Sequence, residues 1–75
     1  METLSRLPLG SSACIVKLLN PEPLKTRLMD LGFVPGARIE ALFAAPSGSP
    51  RAYGILNTVI ALRNNDAALV EVQPL

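Results

Sequence analysis

The side chains able to do chemistry are few in this 75-residue chain. Cys14 is the only thiol and there is no histidine. The commonest general base and the commonest borderline metal ligand are therefore both missing. Ala13, Ile15 and Val16 give Cys14 neither a base nor a positive charge, so it reads as a small apolar residue and suits a reducing compartment. Ser5, Ser11, Ser12, Ser47 and Ser49 lie in terminal or turn contexts, and none resembles a nucleophile elbow. Among the acids, Glu22 and Asp30 are eight residues apart, with Glu22 near a helix start, where a negative charge complements the dipole. Glu40 and Glu71 fall on the polar positions of alternating runs. Nothing forms an acid–base pair, a hard-cation cluster or a glycine-rich phosphate loop. The expectation is no enzyme, no cofactor and no metal site.

That leaves recognition. Arg27, Asp30 and Phe33 gather on and just after one short helix, and with Tyr53 and Arg63 they are the candidate partner-binding residues. Arg27 and Asp30 flank Leu28 and Leu31, which suit a core. Arg63 suits a charge-assisted contact with a carboxylate, or simply the edge of a strand. Tyr53 and Phe43 have the large apolar area of interface anchors, and fit a small core equally well. Seven Lys+Arg against six Asp+Glu give a net charge of +1, with no like-charge run. This disfavours nucleic acid and anionic lipid, which select a clustered basic face. Three aromatics are too few for a base-stacking platform or an aromatic peptide groove. At 49% hydrophobic, the chain has apolar surface to place in a core or on a partner, and a homo-oligomer stays open.

The elements that must hold these residues are short. Asn20-Pro21-Glu22-Pro23 punctuates a helix start, with Asn20 a candidate N-cap and Glu22 before Pro23 a competing boundary. Leu24, Leu28 and Leu31 recur at i, i+4 and i+7, predicting one helix of roughly nine residues. Gly32 stops it in the left-handed region, and Pro35-Gly36 reads as a type II turn. The remainder reads as strands: Ala13 to Leu19 before the helix, then the alternation Ala37, Ile39, Ala41, Phe43. Pro46 to Pro50 is a loop. Arg51 to Leu56 and Val59 to Arg63 surround Asn57-Thr58 as a hairpin, Asn64-Asn65-Asp66 is a tight turn, and Leu69 to Gln73 is the last strand. Residues 1–75 then make a single, mainly β domain: a small SH3-like barrel of about five strands with one inserted short α-helix. Closure of the sheet would remove its edges. No run reaches the roughly 20 apolar residues of a spanning helix, and the start Met1-Glu2-Thr3 lacks a basic and apolar leader, so a cytosolic setting is expected.

Thr26-Arg27-Leu28-Met29-Asp30-Leu31-Gly32-Phe33-Val34-Pro35-Gly36 resembles the R-L-x-x-L-G-x-x-P-G pattern of the ferrous iron transport protein A (FeoA) family. Ala45 to Pro50 is similar to that family's A-P-x-G-D-P loop, and Ile60-Ala61-Leu62-Arg63 with Asp66-Ala67 to its I-A-L-R-x-x-E-A segment. The likeness runs from about Leu7 to Val72. Ser49 stands where the family usually has Asp, Asp66 where Glu is usual, and Asn57 where a turn glycine is common. The resemblance implies an SH3-like barrel in the cytosol, bound to the GTP-binding domain of a membrane ferrous iron transporter and modulating it. A similar barrel forms the C-terminal domain of metal-dependent repressors, which is the alternative reading together with a peptide-binding barrel.

Overall fold

Apolar alternation becomes sheet almost throughout the computed structural model, which describes residues 2–75. The strands are β1 (Glu2–Thr3), β2 (Ser12–Leu18), β3 (Arg38–Ala44), β4 (Arg51–Ile55), β5 (Thr58–Leu62) and β6 (Val70–Pro74). The helices are α1 (Leu24–Asp30) and α2 (Asn64–Ala67), with a 3-10 turn over Leu4–Arg6. All strand pairs are antiparallel, in the order β1-β6-β2-β3-β4-β5. Ala13 pairs with Ile39, Ile15 with Val72 and Tyr53 with Ile60. This register turns Ala13, Ile15, Ile39, Ala41, Tyr53, Ile55, Val70 and Val72 into one core, capped by Leu4, Leu28 and Phe33. The alternation read in the last strand thus holds.

The sixth strand is β1. Its two residues pair with Val72 and Glu71, and a stretch that short carries no periodicity. Among the described residues the sheet ends at β1 and β5, which are not paired with each other, so the expected closed barrel has an open seam. The expected tight turn at Asn64 is a single helical turn. Ala67 and Ala68 donate to the Arg63 and Asn64 carbonyls at 3.0 and 2.9 Å, and Ala67 is buried. One i→i−4 step separates a turn from such a helix, and composition does not resolve it.

Helix α1 is seven residues rather than nine. Asn20 does not cap it. That side chain is buried and donates from Nδ2 to the Asp66 carbonyl at 2.9 Å, tying the helix entrance to α2. Glu22 instead accepts from the Thr26 backbone N–H at 3.0 Å and from the Thr26 hydroxyl at 2.9 Å. Those bonds favour the ionised carboxylate and hold its pKa below the usual value. The helix ends in a Schellman motif: Gly32 N–H donates to Met29 and Phe33 N–H to Leu28, both at 3.0 Å, with Gly32 at φ +106°. The Schellman geometry sets Phe33 against Leu28 inside the core, and Leu31, expected in the apolar stripe, is left exposed at the cap. Gly36, at φ +90°, follows Pro35 in a turn closed by Ala37 N–H to the Val34 carbonyl at 3.0 Å.

Two register details overturn alternation. A bulge between Ala41 and Phe43 puts Phe43 off the core face, 60% exposed. The β4–β5 hairpin turns at Leu56-Asn57, φ 47° and 63°, not at Asn57-Thr58. Both central residues are left-handed, as in a type I′ turn, and Leu56 gives no sequence cue for that conformation.

Candidate functional site

The best-formed apolar hollow lies between the end of β2 and α1. It encloses about 210 Å³ and is lined by Val16, Lys17, Leu18, Lys25, Met29, Phe33 and Pro35. Its origin is a bulge in β2: Ile15 faces Val72 and Lys17 faces Glu71, leaving Val16 without an opposite number. Strict alternation would hide one of two consecutive residues. The bulge lets Val16 and Lys17 both face solvent. On α1, Lys25 and Met29 are four residues apart and share the face toward β2, while Leu28 points inward. Leu18 and Phe33 are buried and make the floor. Val16 at 48% and Met29 at 42% exposure make apolar walls, and two lysines stand at the rim. Such an arrangement can take an apolar side chain and favours negative charge beside it. Its lining holds no carboxylate, hydroxyl, thiol or imidazole.

The candidate residues from the sequence scatter relative to this groove. Arg27 and Asp30 are exposed on α1 but do not line it. Arg63 is exposed just before α2, on another part of the chain. Phe33 and Tyr53 correct the expectation of a partner-binding role: both are fully buried, Phe33 by the Schellman contact and Tyr53 by facing inward on β4. The Tyr53 hydroxyl lies 3.5 Å from the Leu4 carbonyl, and burial raises its pKa. Of the large aromatics only Phe43 is open to a partner. Gly32, Pro35 and Gly36 occupy the turns that carry the chain from α1 into β3.

Val16, Lys17, Lys25 and Met29 were invisible as a group. The 25/29 spacing marks a shared helical face, but the β2 bulge that brings the other two alongside has no local signature. Arg51 was also missed. It is only 8% exposed; its guanidinium donates to the Ser5 and Leu7 carbonyls and lies 5.6 Å from the centroid of the Tyr53 ring. It fastens the segment before β2 onto β4, and a guanidinium fork suits two adjacent carbonyls. Among the described residues no three His, Cys, Asp or Glu side chains converge, and Cys14 is half-buried and free. Among the described residues no helix is long and apolar enough to cross a membrane.

Fold and groove together define the class: a small SH3-like barrel with an apolar hollow under a cationic rim. The FeoA domain model matches residues 2–74, and the chain belongs to the FeoA family. It is 36% identical over 70 residues to a Porphyromonas gingivalis Fe(2+) transport protein A/Fe(2+) transporter FeoB fusion protein, covering 93% of this chain but 8% of that one. The solution structure of FeoA from Chlorobium tepidum superposes with a TM-score of 0.94 at 32% identity, over 99% of this chain and 70% of the other. FeoA from Stenotrophomonas maltophilia, complexed with zinc and described as an SH3 domain protein, superposes at 0.83 with 35% identity, over 97% and 91%. A manganese-dependent transcriptional repressor shares the fold alone, at 16% identity and a TM-score of 0.82, over 99% of this chain and 41% of the repressor.

Proposed function

We propose that this chain is a small non-catalytic adaptor of a membrane ferrous iron transporter. It works in the cytosol by docking onto the transporter's GTP-binding domain. The observation that carries this reading is the fused relative, in which a segment like this chain and a FeoB transporter share one polypeptide. A fusion holds two partners at high effective concentration, and separate chains need a surface to do the same. The hollow between β2 and α1 is the surface best suited to that task. Met29 is a flexible apolar wall that adapts to an inserted side chain, and Lys17 and Lys25 favour an acidic neighbour. Arg27 and Asp30 add exposed polar contacts on α1. Arg63 extends the footprint toward α2 if its removal weakens binding.

Calorimetry with the transporter's purified cytosolic domain, with and without guanine nucleotide, tests the proposal. Binding is expected in at least one nucleotide state. Met29→Glu is expected to weaken it by tenfold or more, about 1.4 kcal/mol, by placing a carboxylate on an apolar wall. The circular dichroism spectrum and urea midpoint should not change, because the side chain is outside the core. Absence of binding in every nucleotide state overturns the proposal.

A further inference from the structure

The open seam leaves β5 as a bare edge. It pairs with β4 alone, and the closing pair of the hairpin is Ile55 with Thr58. In a two-residue hairpin the closing pair exchanges backbone hydrogen bonds, and the pairs alternate from there. Ile60 and Leu62 therefore bond to Tyr53 and Arg51, while the N–H and C=O of Val59 and Ala61 point away from the sheet. Neither residue takes part in any other backbone hydrogen bond among the described residues. Proteins usually guard such an edge with charge, proline or a covering element. Thr58-Val59-Ile60-Ala61-Leu62 has no charge and no proline, and Val59 is 60% exposed. Beside it, Leu56 is the most exposed large apolar residue of the hairpin.

We infer that β5 pairs antiparallel with β5 of a second copy of this chain, about a two-fold axis at Ile60. The strand is complementary to itself in this register. Val59 of one copy meets Ala61 of the other, a larger side chain beside a smaller one on the outer face, and the two residues exchange four backbone hydrogen bonds across the axis. Thr58 meets Leu62, and the half-buried Ile60 meets its counterpart. Arg63, the nearest charge, falls opposite Asn57 and not opposite another arginine, so the two edges join without repulsion. The row Glu40, Gly54, Val59 of one barrel continues into Ala61 and Ala52 of the next. A strand from an unlike partner could meet the same backbone groups, but Thr58–Leu62 itself carries no charge with which to select one.

Sedimentation velocity from about 10 µM to about 1 mM, the range in which a short edge with a small apolar stripe can act, tests the inference. The expected result is a rise from the mass of one chain to that of two. Two variants separate the edge from other contacts. Val59→Lys puts a charge on an exposed position, and Ala61→Pro removes an outward N–H without breaking a bond to β4. Each should remain a monomer over the whole range, with Val59→Lys keeping the native circular dichroism spectrum. A wild-type chain that stays monomeric at about 1 mM overturns the inference, as does a dimer that Val59→Lys leaves intact.

Discussion

Arg51 is the residue whose placement is least expected from its type. A guanidinium without a carboxylate is costly to bury, yet it costs less when backbone carbonyls accept its fork. The Ser5 and Leu7 carbonyls do so, and the Tyr53 ring lies beneath. Tyr53 carries the pH consequence. Burial raises its pKa, and the nearby Arg51 charge offsets only part of that. A raised folded-state pKa means that the neutral phenol is favoured by folding. Its stability contribution is fully present below the unfolded value near 10 and is lost as pH rises through the folded value. Urea unfolding from about pH 8 to 11 should therefore show stability falling above about pH 10, and Tyr53→Phe should flatten that fall. At neutral pH the same variant should cost less than about 1 kcal/mol, because the 3.5 Å contact to Leu4 is a long hydrogen bond. An equally steep alkaline decline in Tyr53→Phe would exclude Tyr53 as its source.

At the scale of elements, the stop of α1 and the turn into β3 were legible in the sequence, and their contents only partly so. Leu28, Gly32, Pro35 and Gly36 do what their types suggest. Phe33 departs from the surface role its exposed neighbours Arg27 and Asp30 suggest, because the Schellman motif packs the residue after a helix-terminating glycine on the last turn. Leu31 changed places with it. The strands Ser12–Leu18 and Arg38–Ala44 follow their alternation only up to the bulges. A bulge is an agreement between two strands and leaves no mark on one, so Phe43 and Val16 could not be placed from their own neighbours. The groove depends on one of those bulges, which is why no motif announced it. The two glycines test the local account. Gly36→Ala meets open space at φ +90°, so only backbone strain of about 1 kcal/mol is expected. At Gly32 an added Cβ lies 2.5 Å from Leu56 Cδ1 in addition to φ +106°. Gly32→Ala should therefore lose more stability than Gly36→Ala in urea titrations. The reverse order would contradict the packing of Leu56 over the helix end.

For the whole molecule, the mainly β barrel and the inserted helix followed from composition and period. Open closure did not. Periodicity tells which residues line a sheet, not whether its first and last strands meet, and β1 is too short to seal the seam. The molecule therefore offers two surfaces with different physics: an apolar hollow under lysines, and a neutral strand edge. Of these two, the hollow has the shape and charge with which to select an unlike partner, and the central claim rests on it. Amide and methyl NMR of the isotopically labelled chain, titrated with the transporter's GTP-binding domain, tests that claim most directly. The account predicts the largest shifts at Val16, Lys17, Lys25 and Met29, with the outer face of β4 and β5 unmoved. Shifts confined to Val59 and Ala61, or none at saturating partner, would contradict it.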